Sequence, residues 1–435
     1  MSHKVIDVFS TSRLSRYSYV SRKYKHNQTF DDFLENYLHE NDKIISITGP
    51  TKCGKTTLTK SVIDPSALVR IHGADITSPD KLWELVLAKL KTPIESKETK
   101  GRDTENEVGG EVSSSGPLSW LWGLGAKGTY KWKGKKTHTL QLDKKQSDHQ
   151  NAIRNMIERK SVLVIDDFHY ITPEVQKEIC RQLKGDLESD HPPIVVCSIP
   201  SREDATTRAL SELQGRVASI KFSRWSNDDL YEIIEKGFHS LNYHVSNKTE
   251  IQEYLLHEAL GSPHVVQDCC KSICSQKEIT QGRTKFFAKE KINFSQAEMK
   301  KSLEDVASEL HYERSYKIIE DGLPTKGTKR VLHVVGDGDE QDEADVYQLL
   351  LKALELDPPK DRLTRNEIDN RISQLVRGKP PARSSIGAVL KNLNRLVLDS
   401  NIRNMVLDWD EGTGSGELII MDPLFLLYLR HGNKS

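Results

Sequence analysis

The sequence predicts an α/β protein: a parallel sheet with helices on both faces, then a helical lid and a C-terminal winged-helix domain. Three observations carry this. Gly49-Pro50-Thr51-Lys52-Cys53-Gly54-Lys55-Thr56 fits the phosphate-binding loop pattern G-x-x-x-x-G-K-[ST]. A second apolar run, Val162–Ile165, ends in two carboxylates, Asp166 and Asp167. Near the C-terminus, helical patterns are followed by two short strand patterns flanking the glycine-rich Gly412–Gly416.

Taken in order, the β-branched run Lys43–Thr48 reads as a buried strand, and Thr56–Ile63 reads as a helix stopped by Asp64-Pro65. Strand, glycine turn and helix N-terminus gather backbone N–H groups around one point, where the helix dipole also favours negative charge. Gly49 to Thr56, with Thr57, are therefore expected to cradle a nucleoside triphosphate, Lys55 reaching its β- and γ-phosphates. The Thr56 hydroxyl is expected to ligate Mg²⁺. Asp166, at the carboxyl end of a continuous apolar strand, is the matching acid, holding Mg²⁺ through its water shell. Asp167 is placed to orient an attacking water. The alternative for this acidic pair is a plain turn.

Ala67–Ile71 reads as a second strand, and Ser78-Pro79 opens a helix with Leu82, Leu85, Val86 and Leu90 at helical spacing. Ile194–Ser198 is a further strand whose polar tip, Ser198, or the following Arg202, is a candidate sensor of the γ-phosphate. Val217–Phe222, after Arg216, is the last strand. From Asp228 the pattern becomes helical, through Asp229–Ile234 and a second helix before Gly261-Ser262-Pro263-His264, as expected for a lid. Residues 92–142 interrupt the sheet. Glu95–Gly116 is polar, and Trp120, Trp122 and Trp132 suggest either a hairpin for a partner or one packed on its own domain.

The 435 residues suit two or three domains, set at 1–225, 226–335 and 344–435. Sixty-three Lys and Arg balance 63 Asp and Glu, so no global field draws the chain to nucleic acid or membrane. The six cysteines lack the spacing of a disulfide framework, and Cys269, Cys270 and Cys274 read as buried helix residues rather than metal ligands. With no apolar run near 18 residues, the expectation is a cytoplasmic chain without membrane contact.

These motifs together resemble the AAA+ superfamily of P-loop ATPases, in the branch that holds origin-recognition-like initiators and STAND signalling ATPases. The resemblance spans roughly residues 15–275 and rests on the loop at Gly49, the pair Asp166-Asp167, the tip at Ser198, Arg216, the opening Trp225–Leu230 and Gly261-Ser262-Pro263. It implies that Tyr19 and Val20 lie near the adenine, that Pro263 belongs to a G-x-P motif at the nucleotide, and that Arg216 serves as an arginine finger for a neighbouring subunit. A structural salt bridge at Arg216, or Arg208 in the finger role, is the alternative. Two departures, Asp167 in place of a glutamate and His264 where many lids carry an arginine, favour a slow switch over a fast motor.

Beyond an acidic linker at 336–343, Ala344–Leu356, a helix capped by the Thr364–Glu367 box, and a helix from about Ser384 precede the strand pair. This is the winged-helix pattern. Arg383, Lys391 and Arg395 are candidate DNA contacts, with Arg371, Arg377 and Lys379 adding to a basic patch. Asp408, Asp410, Glu411 and Glu417 at the wing oppose DNA, and protein docking is the alternative. The ending Asp422–Arg430 resembles the D-P-x-F-x-x-Y-L-R close of some prokaryotic ATPases. The functional expectation is a switch that binds ATP with Mg²⁺, hydrolyses it, self-associates and signals to an effector protein, in a setting such as prokaryotic antiviral defence. The second expectation is an ATP-controlled DNA-binding protein of replication or transposition.

Overall fold

A computed structural model describes residues 2–91, 147–199, 213, 215–283, 288–325, 327, 329–336, 342–399, 406–412 and 416–433. The insertion with Trp120, Trp122 and Trp132, together with Arg202, Arg208 and the wing-tip residues 413–415, lies outside the described residues.

Five strands, β1 (Ile44–Thr48), β2 (Leu68–His72), β3 (Val162–Asp166), β4 (Ile194–Ser198) and β5 (Val217–Lys221), form one parallel sheet in the order β2-β3-β4-β1-β5. Their period-two alternation feeds two cores. Ile45, Ile47, Val162, Val164 and Val195 face Leu34, Leu38, Leu58 and Val62. On the other face, Ile44, Leu163, Ile165, Ile194 and Val196 pack against the helices Pro79–Lys91, Asp148–Arg159 and Pro173–Asp186. Trp83 fills this second core, its indole N–H donating to Gln182 Oε1 at 2.7 Å. Because β4 lies between β1 and β3, Ser198 ends up between the phosphate loop and Asp166.

The helices Asn227–Ser240 and Pro263–Gln276 form the lid, joined by a stretch with a π-helical segment at Ile251–Leu255. Cys269, Cys270 and Cys274 are buried in the lid core, and burial pushes the Cys269 and Cys274 thiols up to about 12. The N-terminal Val5, Val8 and Phe9 pack into that same core, although the sequence assigns residues 1–225 to the sheet domain. Similarly, Ile319 joins the C-terminal core rather than the lid.

The C-terminal unit holds the helices Val346–Glu355, Arg365–Leu375, Arg383–Asp399 and Pro423–His431, with a three-stranded antiparallel sheet of Arg362–Thr364, Glu417–Ile420 and Leu407–Asp410. Two expectations need correction. The acidic linker is partly a ribbon, since Asp342–Ala344 pairs antiparallel with His333–Val335. Arg371 is no part of a surface patch: it is buried and donates to the carbonyls of Ala353, Leu356 and Pro358, because a buried guanidinium must satisfy its donors. None of the described helices is long and apolar enough to cross a membrane.

Candidate functional site

The loop between β1 and the Lys55–Val62 helix opens onto a cleft of about 500 Å³. Gly54 adopts φ +101 at the helix N-cap, a left-handed conformation that only glycine takes at little cost. Gly49 has a different reason: a Cβ there would stand 2.4 Å from the Cβ of Phe222. Lys55 is buried, its Nζ donating to the carbonyls of Gly49 at 2.8 Å and Pro50 at 2.7 Å. Of its three ammonium protons, one remains for the cleft.

Asp166 lies at the tip of β3, 2 % exposed, and Thr56 Oγ1 donates to its Oδ2 at 2.8 Å. A hydroxyl and a carboxylate oxygen in contact are the hard-oxygen donors that suit Mg²⁺, so Thr56 and Asp166 fit the ion the loop implies. Asp167 follows with φ 56 and lines the cleft. Burial and the adjoining Asp166 charge raise its carboxyl above the usual range, against the opposing pull of Lys55, His72 and Arg70. Residues His72, Asp166 and Asp167 bring their ligand atoms within 4.8 Å of one another.

Thr51 to Thr57, Tyr19, Val20 and Pro263 all line the cleft. Tyr19 is tied down by its hydroxyl, which donates to Asp31 Oδ1 at 2.6 Å and lies 2.8 Å from Ser61 Oγ. Pro263 opens the lid helix behind the N-cap Ser262. Next to it, His264 pairs with Asp268 at 3.3 Å, and burial lowers its pKa. Ser198 is fully buried with its Oγ lacking a hydrogen-bond partner, while its carbonyl accepts from the Gly49 amide at 3.3 Å. It therefore abuts the loop rather than lining the cleft. Arg216 lies at the amino end of β5, on the opposite side of the sheet from the loop, in an exposed pair with Glu188 at 3.3 Å. Its own nucleotide cleft is out of its reach, which leaves both readings of that arginine standing.

Several participants escaped the motif reading. Arg70, in the middle of β2, donates from Nε to Asp166 Oδ2 at 2.9 Å. A charged residue set between the apolar Val69 and Ile71 of a strand was the available signal, because a half-buried charge needs a partner. Trp225 donates from its indole N–H to the Cys53 carbonyl at 2.8 Å, and the Arg22 guanidinium lies 4.8 Å over its ring. From the C-terminal unit, Thr51 Oγ1 donates to the Met421 carbonyl and Asp422 lines the cleft. Arg224 pairs with Asp361, and Arg430 pairs with Glu258 of the lid at 2.7 Å. Nothing local in the sequence announces these long-range contacts.

The candidate DNA contacts are partly engaged within the unit itself. Arg383 pairs with Asp369 at 2.8 Å, and Lys391 pairs with Glu411 at 3.1 Å. Arg395 is exposed on the same helix.

Residues 38–205 match the family model described as an AAA domain, a span that holds the phosphate loop, Asp166-Asp167 and Ser198. No curated protein matches the chain. Among solved structures, it is similar to the ORC2 protein of Aeropyrum pernix in its ADP form, at 12% identity, 97% of this chain, 96% of that chain and a TM-score of 0.43. The ORC1 protein of Aeropyrum pernix in complex with DNA matches at 10% identity, over 98% of this chain and 95% of that chain, TM-score 0.40. Cdc6p from Pyrobaculum aerophilum matches at 12% identity, over 97% of this chain and 96% of that chain, TM-score 0.37.

Proposed function

We propose that this chain is an ATP-binding and ATP-hydrolysing switch of AAA+ type that couples nucleotide state to the position of its C-terminal unit. The carrying observation is that one short loop serves both ends. Thr51 to Thr57 line the cleft that would take the phosphates, and Thr51 among them donates to the Met421 carbonyl of the C-terminal unit. Whatever rearranges the loop amides is thereby felt 370 residues further along the chain.

In this reading the loop amides and the Lys55 ammonium neutralise the phosphate tail, while Thr56 and Asp166 hold Mg²⁺, which supplies charge neutralisation when bound. Asp167 accepts a hydrogen bond from the attacking water, and its raised pKa suits a group that takes up a proton. Tyr19, Val20 and Pro263 wall the base. Arg216 from a second copy completes the charge around the γ-phosphate, which makes assembly part of the cycle. The output is a partner protein, as in STAND-type signalling and defence.

Light scattering of the full chain with ADP and with a non-hydrolysable ATP analogue tests this. Growth in mass with the analogue alone is expected; an unchanged mass with both removes assembly and the Arg216 role. A second reading, DNA binding through the C-terminal unit, is favoured by the exposed Arg395 and by the three-stranded sheet beside the Arg383–Asp399 helix, the pattern of a winged helix. A salt-dependent gel shift of the full chain decides it, and no shift at low salt sinks it.

A further inference from the structure

One oxygen of Asp166 is crowded. Its Oδ2 accepts from Thr56 Oγ1 at 2.8 Å, from Arg70 Nε at 2.9 Å and from Arg70 Nη2 at 2.5 Å, while Oδ1 accepts from the Asp167 amide at 3.1 Å. A carboxylate offers roughly four lone-pair sites over its two oxygens, so three donors fill Oδ2. Yet Oδ2 beside the Thr56 hydroxyl is the pair of oxygens that a divalent cation's shell would use. Guanidinium and cation address the same atom.

The placement follows from the strand. Val69 and Ile71 point into the core beneath the sheet, so Arg70 points to the opposite face, toward the Lys55–Val62 helix. There the Lys60 ammonium is held below its usual range, first by burial and then by the Arg70 charge. Asp166 is 2 % exposed but Arg70 is 25 % exposed and lines the cleft with Lys55, Thr57 and Lys60. The arginine therefore has open space beside it, and the acid has none.

We propose that Arg70 is a positioning residue that competes with the divalent cation for Asp166 Oδ2, so that cation entry and release of the guanidinium from that oxygen are one exchange. The inference deepens the ATP-switch reading and rests on it. A released guanidinium stands among the Lys55 and Lys60 cations, where an anionic phosphate tail compensates the crowded positive charge. Cation binding consequently depends on nucleotide more steeply with Arg70 than without it. The opposite role is an arginine that orients Asp166 while the ion is bound, as outer-shell partners do, and removing such a partner weakens metal binding. The sign of the change separates the two.

The test titrates Mn²⁺ into the full chain and follows free Mn²⁺ by electron paramagnetic resonance, with and without one equivalent of a non-hydrolysable ATP analogue. Arg70→Ala is expected to bind Mn²⁺ alone about tenfold more tightly than the parent, the size of one charge-assisted hydrogen-bond pair. Its further gain on adding the analogue is expected to be smaller than the parent's. Arg70→Lys, with a point charge and no fork, is expected to fall between. Should the alanine variant fail to fold by thermal melting, Arg70→Gln keeps the bulk without the charge and carries the same expectation. Unchanged or weaker Mn²⁺ binding by folded Arg70→Ala or Arg70→Gln, with a parent that binds the analogue, overturns the Arg70 inference alone. A folded parent that captures neither Mn²⁺ nor the analogue overturns the ATP-switch reading instead.

Discussion

The sheet module and the C-terminal unit both bring polar groups to the same cleft, but by different routes. In the sheet module each group is delivered by the element that carries it: a loop between a strand and a helix, or the tip of a strand. The C-terminal unit delivers Met421 and Asp422 by docking, through Arg430 and His431 on Glu258 and through Arg224 on Asp361. Local geometry fixes chemistry, whereas docking fixes who feels it. The first route leaves a motif in the sequence, and the second leaves only scattered charges.

The contrast breaks most sharply at Lys55. Lys55→Ala is expected to weaken nucleotide binding by about a hundredfold or more, measured by calorimetry, because it removes the ammonium from the phosphate cradle. Undiminished affinity would show that the cradle works through amides alone. Next comes Asp167→Asn, expected to keep ATP bound while phosphate release falls by about a hundredfold. Equal turnover by variant and parent would return Asp167 to the status of a turn residue.

On the docking side, Arg430→Ala leaves the half-buried Glu258 with His431 only, and is expected to cost about 2 kcal/mol in urea unfolding, somewhat below a fully buried pair. Nucleotide affinity should change far less than with Lys55→Ala; equal losses would mean that the two regions act as one. Acid stability sharpens the same point. Burial alone would raise the Glu258 carboxyl, but hydrogen bonds from His431 and Arg430 pull it down to about 2. Its contribution is present above the ordinary carboxylate range and is lost as pH falls through the folded value near 2. Glu258→Gln should therefore flatten the acid limb of a stability-versus-pH curve, and an unaltered limb would assign that limb to other carboxylates. Smallest of all, Arg216→Ala is expected to change stability by less than about 0.5 kcal/mol, as an exposed pair does. A clear loss in the same unfolding assay would identify it as structural.

How much was legible follows the same division. The phosphate loop and the tip of β3 were readable because each is a contiguous pattern with its own hydrogen-bond logic. Arg70 was visible only as an anomaly, a charge inside a strand, and its partner 96 residues away was not. Arg371 misled for a related reason: composition marks an arginine as a surface cation, and only packing reveals three carbonyls waiting for it. The acidic stretch after Gly336 read as a linker because Asp342 and Glu343 are poor strand formers, yet pairing with His333–Val335 overrode that preference.

By itself the sequence determined which side chains could face a triphosphate, since backbone periodicity and turn chemistry act over a few residues. It also determined that β3 and β4 would be buried on both faces, because their apolar residues run without a break. Tertiary structure alone decided that β4 stands between β1 and β3, that a guanidinium shares an oxygen with Thr56, and that the phosphate loop touches Met421. Those are contacts between segments far apart along the chain, and their free energy comes from complementary surfaces that no local pattern records.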